Sequence, residues 1–108
     1  MFLIGEVEGK DVMLIDDMID TAGTLTKAAN IMMEKGAKSV RAICTHAILS
    51  GEAYERIENS KLTELLVTDT IPLKRESDKI RVVPVGELFS KVIQKVHSYE
   101  SISSYFIF

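Results

Sequence analysis

The stretch VMLIDDMIDTAGTLTKAA, from Val12 to Ala29, decides the fold of this 108-residue chain. It opens on an unbroken apolar run, Val12 to Ile15, which is typical of a parallel strand covered on both faces. An acidic turn that contains a glycine follows, and then a helix is predicted from Thr24 to Lys35. Its inward positions recur at helical spacing: Leu25, Ala28, Ala29 and Met32. The stretch therefore predicts strand, turn and helix in that order.

The same alternation continues to the end of the chain. Further strands are predicted at 2–7, 40–48, 65–67 and 80–83, and further helices at 50–60 and 85–96. Strands that alternate with helices predict an α/β fold with an open, mainly parallel sheet flanked by helices. Four or five strands are fewer than a doubly wound domain usually carries, so we expect an incomplete domain.

Three other segments have specific expectations. The last helix, Val85 to Val96, should turn its apolar stripe inward: Leu88, Phe89, Val92 and Val96. The polar segment Leu73 to Lys79 is the best candidate for a flexible loop in solvent. The helix near 50–60 should be capped close to Ser50.

Composition excludes several classes of protein. A formal charge of −3 provides no electrostatic footprint for nucleic acid or for an anionic membrane. The apolar runs are too short to span a bilayer, and the first ten residues lack the layout of a secretory signal. The single cysteine, Cys44, cannot form an intrachain disulfide and fits a reducing compartment. We therefore expect a soluble cytoplasmic protein.

The turn after the first strand has the chemistry of an anion site. In open parallel sheets, ligands bind beyond the carboxyl ends of strands, where a helix N-terminus offers unpaired N–H groups and a positive dipole end. Ala22 and Gly23 are small enough for the backbone to approach a phosphate, and Thr21 and Thr24 add hydroxyl groups. Only one glycine is present and no lysine follows it, so neither a dinucleotide fingerprint nor a Walker loop is indicated.

The aspartates at this turn require a different partner. Adjacent carboxylates at Asp16 and Asp17 suit the neighbouring hydroxyls of a sugar, and they also suit Mg²⁺, which commonly bridges carboxylates to phosphates. A phosphorylated sugar presents both chemistries. The alternative remains open that this is an acidic turn without a ligand, with a threonine N-cap and with Asp20 favouring the helix dipole.

The motif VMLIDDMIDTAGTL resembles the phosphoribosyl-pyrophosphate (PRPP) binding motif of type I phosphoribosyltransferase-fold proteins. The narrower form DDMIDTAGT resembles the ribose-phosphate pyrophosphokinase family. Three later stretches extend this resemblance over essentially the whole chain, in matching order: THAILSG at 45–51, VTDTIP at 67–72 and HSYESIS at 97–103. Residues 1–108 thus resemble the C-terminal, phosphoribosyltransferase-like part of that family.

The resemblance implies a function and a set of site residues. The family transfers a pyrophosphoryl group from ATP to ribose 5-phosphate, with Mg²⁺, and releases AMP. Asp16 and Asp17 would then face the ribose and, indirectly, the metal. Five residues would form the loop that holds the 5-phosphate: Asp20, Thr21, Ala22, Gly23 and Thr24. Ser101 and Ser103 correspond to a regulatory phosphate site between subunits.

The resemblance also implies what this chain lacks. The family's ATP-binding domain and its catalytic lysine and arginine would precede Met1, so no catalytic residue is assigned and the isolated chain is predicted to be inactive. Family members form hexamers. Two alternatives remain: a nucleobase phosphoribosyltransferase that consumes PRPP, and a non-catalytic regulatory homologue.

Two further features remain open between a structural and a functional role. His46 follows a strand near the expected ligand edge, where stabilising the strand-end turn is favoured over binding a ligand. The apolar tail, residues 100–108, is expected either to dock on its own domain or to belong to the regulatory site.

Overall fold

Four parallel strands and the helices between them make up the fold, which a computed structural model describes over residues 5–106. The strands are β1 (Asp11–Ile19), β2 (Ser39–Ala47), β3 (Glu64–Thr68) and β4 (Ile80–Val83). The helices are α1 (Gly23–Glu34), α2 (Ala53–Asn59), α3 (Gly86–His97) and the short 3-10 turn Ser103–Tyr105. The sheet order is β1-β2-β3-β4 and each neighbouring pair is parallel. The predicted α/β class with an open parallel sheet is confirmed.

The strand predicted at residues 2–7 is not found where the structure can test it. Phe2 to Ile4 lie outside the described residues, and Gly5 to Val7 have no strand conformation. The first described strand begins at Asp11, after a turn in which Lys10 N–H donates to Val7 O at 3.0 Å.

The hydrophobic core lies between one face of the sheet and helices α1 and α2. Fully buried side chains come from the central strands and from both helices: Ala29, Val40, Cys44, Ile57, Leu65 and Val67. Because strand residues alternate between faces, Val12 and Leu14 of β1 pack against this core.

The other face of the sheet is bare among the described residues, which corrects the expectation that β1 is covered on both faces. Met13 is 47% exposed and Ile15 is 80% exposed. The apolar run was correctly identified as a strand, but α1 and α2 contribute to the same core layer and leave the alternate positions of the strand uncovered.

No residue between 5 and 106 buries the apolar stripe of α3, which corrects the inward orientation predicted for it. Leu88, Phe89 and Val96 are between 44% and 57% exposed, and α3 has no buried residue. Periodicity correctly indicated that these side chains share one side of a helix. It could not indicate whether another element would cover that side, because this depends on where the chain runs after β4.

The segment from Leu73 to Lys79 is a loop, as predicted, but it is held against α2 and does not stand free in solvent. Arg75 forms a 3.0 Å ion pair with Glu58 and lies 5.0 Å from the ring centre of Tyr54. Lys79 Nζ donates to Ser60 O at 2.7 Å.

Candidate functional site

The acidic pair lies inside β1 and not in the turn that follows it. The strand was expected to end at Ile15, yet its pairing with β2 continues through Asp16, Met18 and Ile19. The ladder persists because it depends on backbone hydrogen bonds to β2, which polar side chains at an exposed strand end do not prevent. The turn is therefore shorter than predicted and begins at Asp20.

Each aspartate carboxylate accepts a hydrogen bond from the backbone N–H of the residue that follows it. Asp17 N–H donates to Asp16 Oδ1 and Met18 N–H donates to Asp17 Oδ1, each at 2.8 Å. A hydrogen bond with the Asp16 side chain, followed by that from Met18 N–H, lowers the pKa of Asp17 below its usual range. The pair is thus an exposed anionic group at the carboxyl end of β1.

The residues predicted to hold a phosphate surround one cavity. Asp20 to Thr24, called the phosphate loop below, lines a cavity of about 240 Å³ together with Asp16, Met18, Ile19 and Leu25. Of the acidic pair, Asp16 lines this cavity and Asp17 does not. The structure therefore brings six of the seven predicted ligand-binding residues to one concavity.

The end of α1 at this cavity has no side-chain cap. Its N-cap is Ala22, in the left-handed region with φ 63°, and not a threonine. The Thr26 hydroxyl bonds within the helix instead: its Oγ1 donates to the backbone oxygen of Ala22 at 2.7 Å. Since the first turn also lacks an acidic residue, the N–H groups and the dipole of α1 remain available to an anion.

Residues distant in sequence hold the phosphate loop in place. Ser50 donates through Oγ to the Asp20 carboxylate and through its N–H to Asp20 O at 2.9 Å. Arg56 Nη1 donates to Thr21 O at 3.0 Å. The Asp20 carboxylate is thus engaged by Ser50, which was expected to cap α2, whereas Glu52 holds that cap position.

Although Ser50 lies in the THAILSG stretch, nothing in the sequence linked Ser50 or Arg56 to the phosphate loop. They lie 30 and 35 residues from their loop partners, and neither belongs to the motif around Asp16. Arg56 also forms an ion pair with Glu52 at 3.7 Å. Such an i,i+4 pair is common on helix surfaces, so the presence of Arg56 and Glu52 in the sequence does not by itself indicate a site.

His46 joins the end of β2 to the segment after β3. Its Nδ1 lies 2.8 Å from Thr70 Oγ1, and Thr70 Oγ1 donates to Thr45 O at 3.1 Å. Thr68 Oγ1 donates to the same carbonyl at 2.6 Å. These contacts stabilise the strand-end turns next to the acidic pair.

Ser101 and Ser103 lie beyond α3 and do not line the cavity at the phosphate loop. Their hydroxyl oxygens are 3.0 Å apart, and Ser103 N–H donates to Ser101 Oγ at 3.2 Å. Both side chains are exposed. Residues 107–108 of the tail lie outside the described part of the chain, so its expected docking is not tested there.

The stability of the chain should fall at alkaline pH because the thiol of Cys44 is buried. Burial is the larger cause and the charge of Asp16 the smaller one, and together they raise the pKa of this thiol to about 11. A raised pKa adds stability that is present below pH 9.0 and lost as the pH rises towards 11. We expect a loss of about 1–2 kcal/mol over that range. Urea unfolding of the chain and of a Cys44→Ala variant measures it, since the variant lacks the thiol but keeps all tyrosines. Identical pH profiles for the two proteins would contradict this assignment.

Comparison with known proteins places this arrangement in context. The model of the phosphoribosyl synthetase-associated domain family matches residues 1–107. Proteins called ribose-phosphate pyrophosphokinase are 55% identical in Wolinella succinogenes and 57% identical in Campylobacter jejuni, each over 107 residues. Each match covers 99% of this chain and 35% of the relative. The chain thus spans about a third of the length of these curated relatives.

A solved structure resembles the fold as well. The crystal structure of phosphoribosylpyrophosphate synthetase from Mycobacterium smegmatis superposes with a TM-score of 0.86 at 36% sequence identity. The match covers 89% of this chain and 33% of that one.

Proposed function

Because this chain belongs to the phosphoribosyl synthetase-associated domain family, we propose that it is the ribose-5-phosphate-binding part of a ribose-phosphate pyrophosphokinase. The reaction converts ATP and ribose 5-phosphate into PRPP and AMP. We further propose that residues 1–108 form the C-terminal, phosphoribosyltransferase-like part of such an enzyme. The names of the relatives favour this function over a nucleobase phosphoribosyltransferase.

The observation that carries the proposal is the cavity at the carboxyl end of β1. It combines an uncapped helix N-terminus, which binds anions, with the carboxylate of Asp16, which binds hydroxyl groups. A bare anion such as phosphate would gain nothing from the carboxylate. A phosphorylated sugar uses both, because its phosphate and its hydroxyls lie at opposite ends of one small molecule.

Each group of the site has a role in this proposal. The N–H groups of the phosphate loop and the hydroxyls of Thr21 and Thr24 hold the 5-phosphate. Asp16 and Asp17 accept hydrogen bonds from the ribose hydroxyls. Fixing the sugar at both ends orients its C1 hydroxyl for in-line attack, which is the main contribution a protein makes to phosphoryl transfer.

Mg²⁺ is the metal we propose for this site. No group of three or more metal-ligating side chains occurs among residues 5–106. Two exposed carboxylates nevertheless fit Mg²⁺, which keeps several waters and is often held by one or two carboxylates together with substrate phosphates. When bound, the ion would neutralise charge on the pyrophosphoryl oxygens.

Four wider features of the enzyme also belong to the proposal: binding of ATP outside this chain, a hexameric assembly, a cytoplasmic location, and a regulatory phosphate site at Ser101 and Ser103. The exposed and mutually bonded hydroxyls of the two serines support only the last of these. Within the described residues, no helix combines the length and the apolar character needed to cross a bilayer.

Ligand titration of the chain tests the proposal. In ¹H–¹⁵N spectra, ribose 5-phosphate should shift the amide resonances of residues 16–24 in a saturable way, whereas ribose without its phosphate should have much weaker effects. Absence of any saturable shift with millimolar ribose 5-phosphate would overturn the proposed site.

The isolated chain should not catalyse the reaction. The residues that would bind ATP and supply catalytic cations are not assigned to any position here, so we expect no AMP formation from ATP, Mg²⁺ and ribose 5-phosphate above background. A coupled assay for AMP measures this. Turnover at a rate near that of a full-length enzyme would refute the view that this chain carries only the sugar-phosphate half.

A further inference from the structure

The His46 ring is held through one of its two nitrogens. Thr70 Oγ1 lies 2.8 Å from Nδ1 and 3.1 Å from Thr45 O, and a hydroxyl can pair with Nδ1 either as donor or as acceptor. Thr70 therefore engages Nδ1 in either tautomer of the neutral ring, which leaves Nε2 for another partner.

The strand register places His46 next to residues that line the cavity at the phosphate loop, although His46 itself does not line it. His46 is the register partner of Met18 in the β1–β2 ladder, and Cys44 is the partner of Asp16. Since side chains two residues apart on a strand share a face, Asp16, Met18 and His46 lie on the same face of the sheet. Asp16 and Met18 line the cavity, and His46 is near enough to Asp17 to interact with it electrostatically.

Nε2 makes no hydrogen bond with any residue between 5 and 106, although the ring is half-buried. A nitrogen of this kind normally finds a partner, either water or a ligand. A hydroxyl group both donates and accepts, so a sugar can pair with Nε2 in either tautomer, whereas the oxygens of a fully ionised phosphate can only accept.

We propose that His46 is a further ligand-binding residue of this site, and that its Nε2 forms a hydrogen bond with a hydroxyl group of the bound sugar. The inference rests on the proposed function and extends it. Thr70 acts as a positioning residue, since its hydroxyl orients the ring and selects the nitrogen that faces the ligand.

A His46→Asn variant separates the two ring nitrogens. The asparagine amide can replace Nδ1 as the partner of Thr70, but nothing replaces Nε2. We expect ribose 5-phosphate to bind this variant about 5- to 10-fold more weakly, the loss expected for one hydrogen bond. Inorganic phosphate, which has no sugar hydroxyls, should bind both proteins equally within about twofold.

Thr70 provides matched controls. Thr70→Val removes the oxygen that holds the ring and should also weaken ribose 5-phosphate binding, whereas Thr70→Ser keeps the hydroxyl and should restore it. If His46→Asn fails to fold, long-range ¹H–¹⁵N spectra of the unmodified chain still decide, because the Nε2 resonance should move when ribose 5-phosphate binds but not with phosphate alone.

The outcomes separate this inference from the function on which it rests. Unchanged ribose 5-phosphate affinity in a folded His46→Asn variant, or an unmoved Nε2 resonance at saturation, overturns the role of His46 while the proposed function stands. If the unmodified chain binds phosphate but gains nothing from the sugar, the role of His46 is refuted and the phosphate loop is retained. Binding of neither ligand refutes both.

Discussion

Replacing Thr24 with aspartate should weaken ribose 5-phosphate binding at least about 30-fold without unfolding the chain. Thr24 is exposed, lines the cavity and is the second residue of α1. A carboxylate there would repel the 5-phosphate from the N–H groups that are proposed to bind it. The same carboxylate favours the helix dipole, so stability should stay the same or rise by about 0.3–1 kcal/mol.

Thr24→Asn is the matched control, because asparagine has almost the same shape as aspartate and no charge. Calorimetric or NMR titration should give only a several-fold loss of affinity for the asparagine variant, and thermal unfolding should give similar midpoints for both. Equal ribose 5-phosphate affinity in the aspartate and asparagine variants would mean that the phosphate does not bind at this helix end.

Replacing Leu65 with alanine should lower the free energy of unfolding by about 2–5 kcal/mol. Leu65 is a residue of β3 and is 0% exposed, because its side chain is part of the core between the sheet and helices α1 and α2. Its truncation leaves a cavity that the neighbouring strands cannot fill, because both are fixed by the parallel ladder. Denaturation with urea at constant pH measures the change.

Ile15→Thr is the control for the other face of the sheet. Ile15 is 80% exposed, and threonine keeps the β-branched shape that strands favour, so the loss should be below about 1 kcal/mol. Comparable losses for the two variants would contradict the one-sided core. A loss at Ile15 that grows with protein concentration would show that the bare face is covered by association in solution.

The order of elements and the position of the phosphate loop could both be predicted from the sequence, because their signals are local. Apolar runs indicate strands, and the spacing of Leu25 and Ala29 indicates one side of α1. The length of β1 was underestimated because an acidic pair interrupts its apolar pattern, and the residues from Asp16 onward are held by backbone pairing with β2. Pairing of this kind leaves no trace in hydrophobic periodicity.

The contacts that hold the site together could not be predicted, because they join distant parts of the chain. Ser50 reaches Asp20 across 30 residues, and His46 reaches Thr70 across 24. Each residue has an ordinary local explanation, as a helix cap or as a strand-end side chain. Only the parallel register of β1, β2 and β3 brings these partners to one edge of the sheet.

By itself, the sequence determined the α/β alternation and the family resemblance, and it predicted the loop residues that the structure brings to one cavity, since backbone preference and side-chain chemistry act over a few neighbouring residues. Within residues 5–106, the tertiary structure alone decided which faces of the sheet and of α3 are uncovered, and which nitrogen of His46 Thr70 engages. The physical reason is that burial and hydrogen-bond partners depend on where distant segments meet, and a periodic pattern indicates only which side chains share a face.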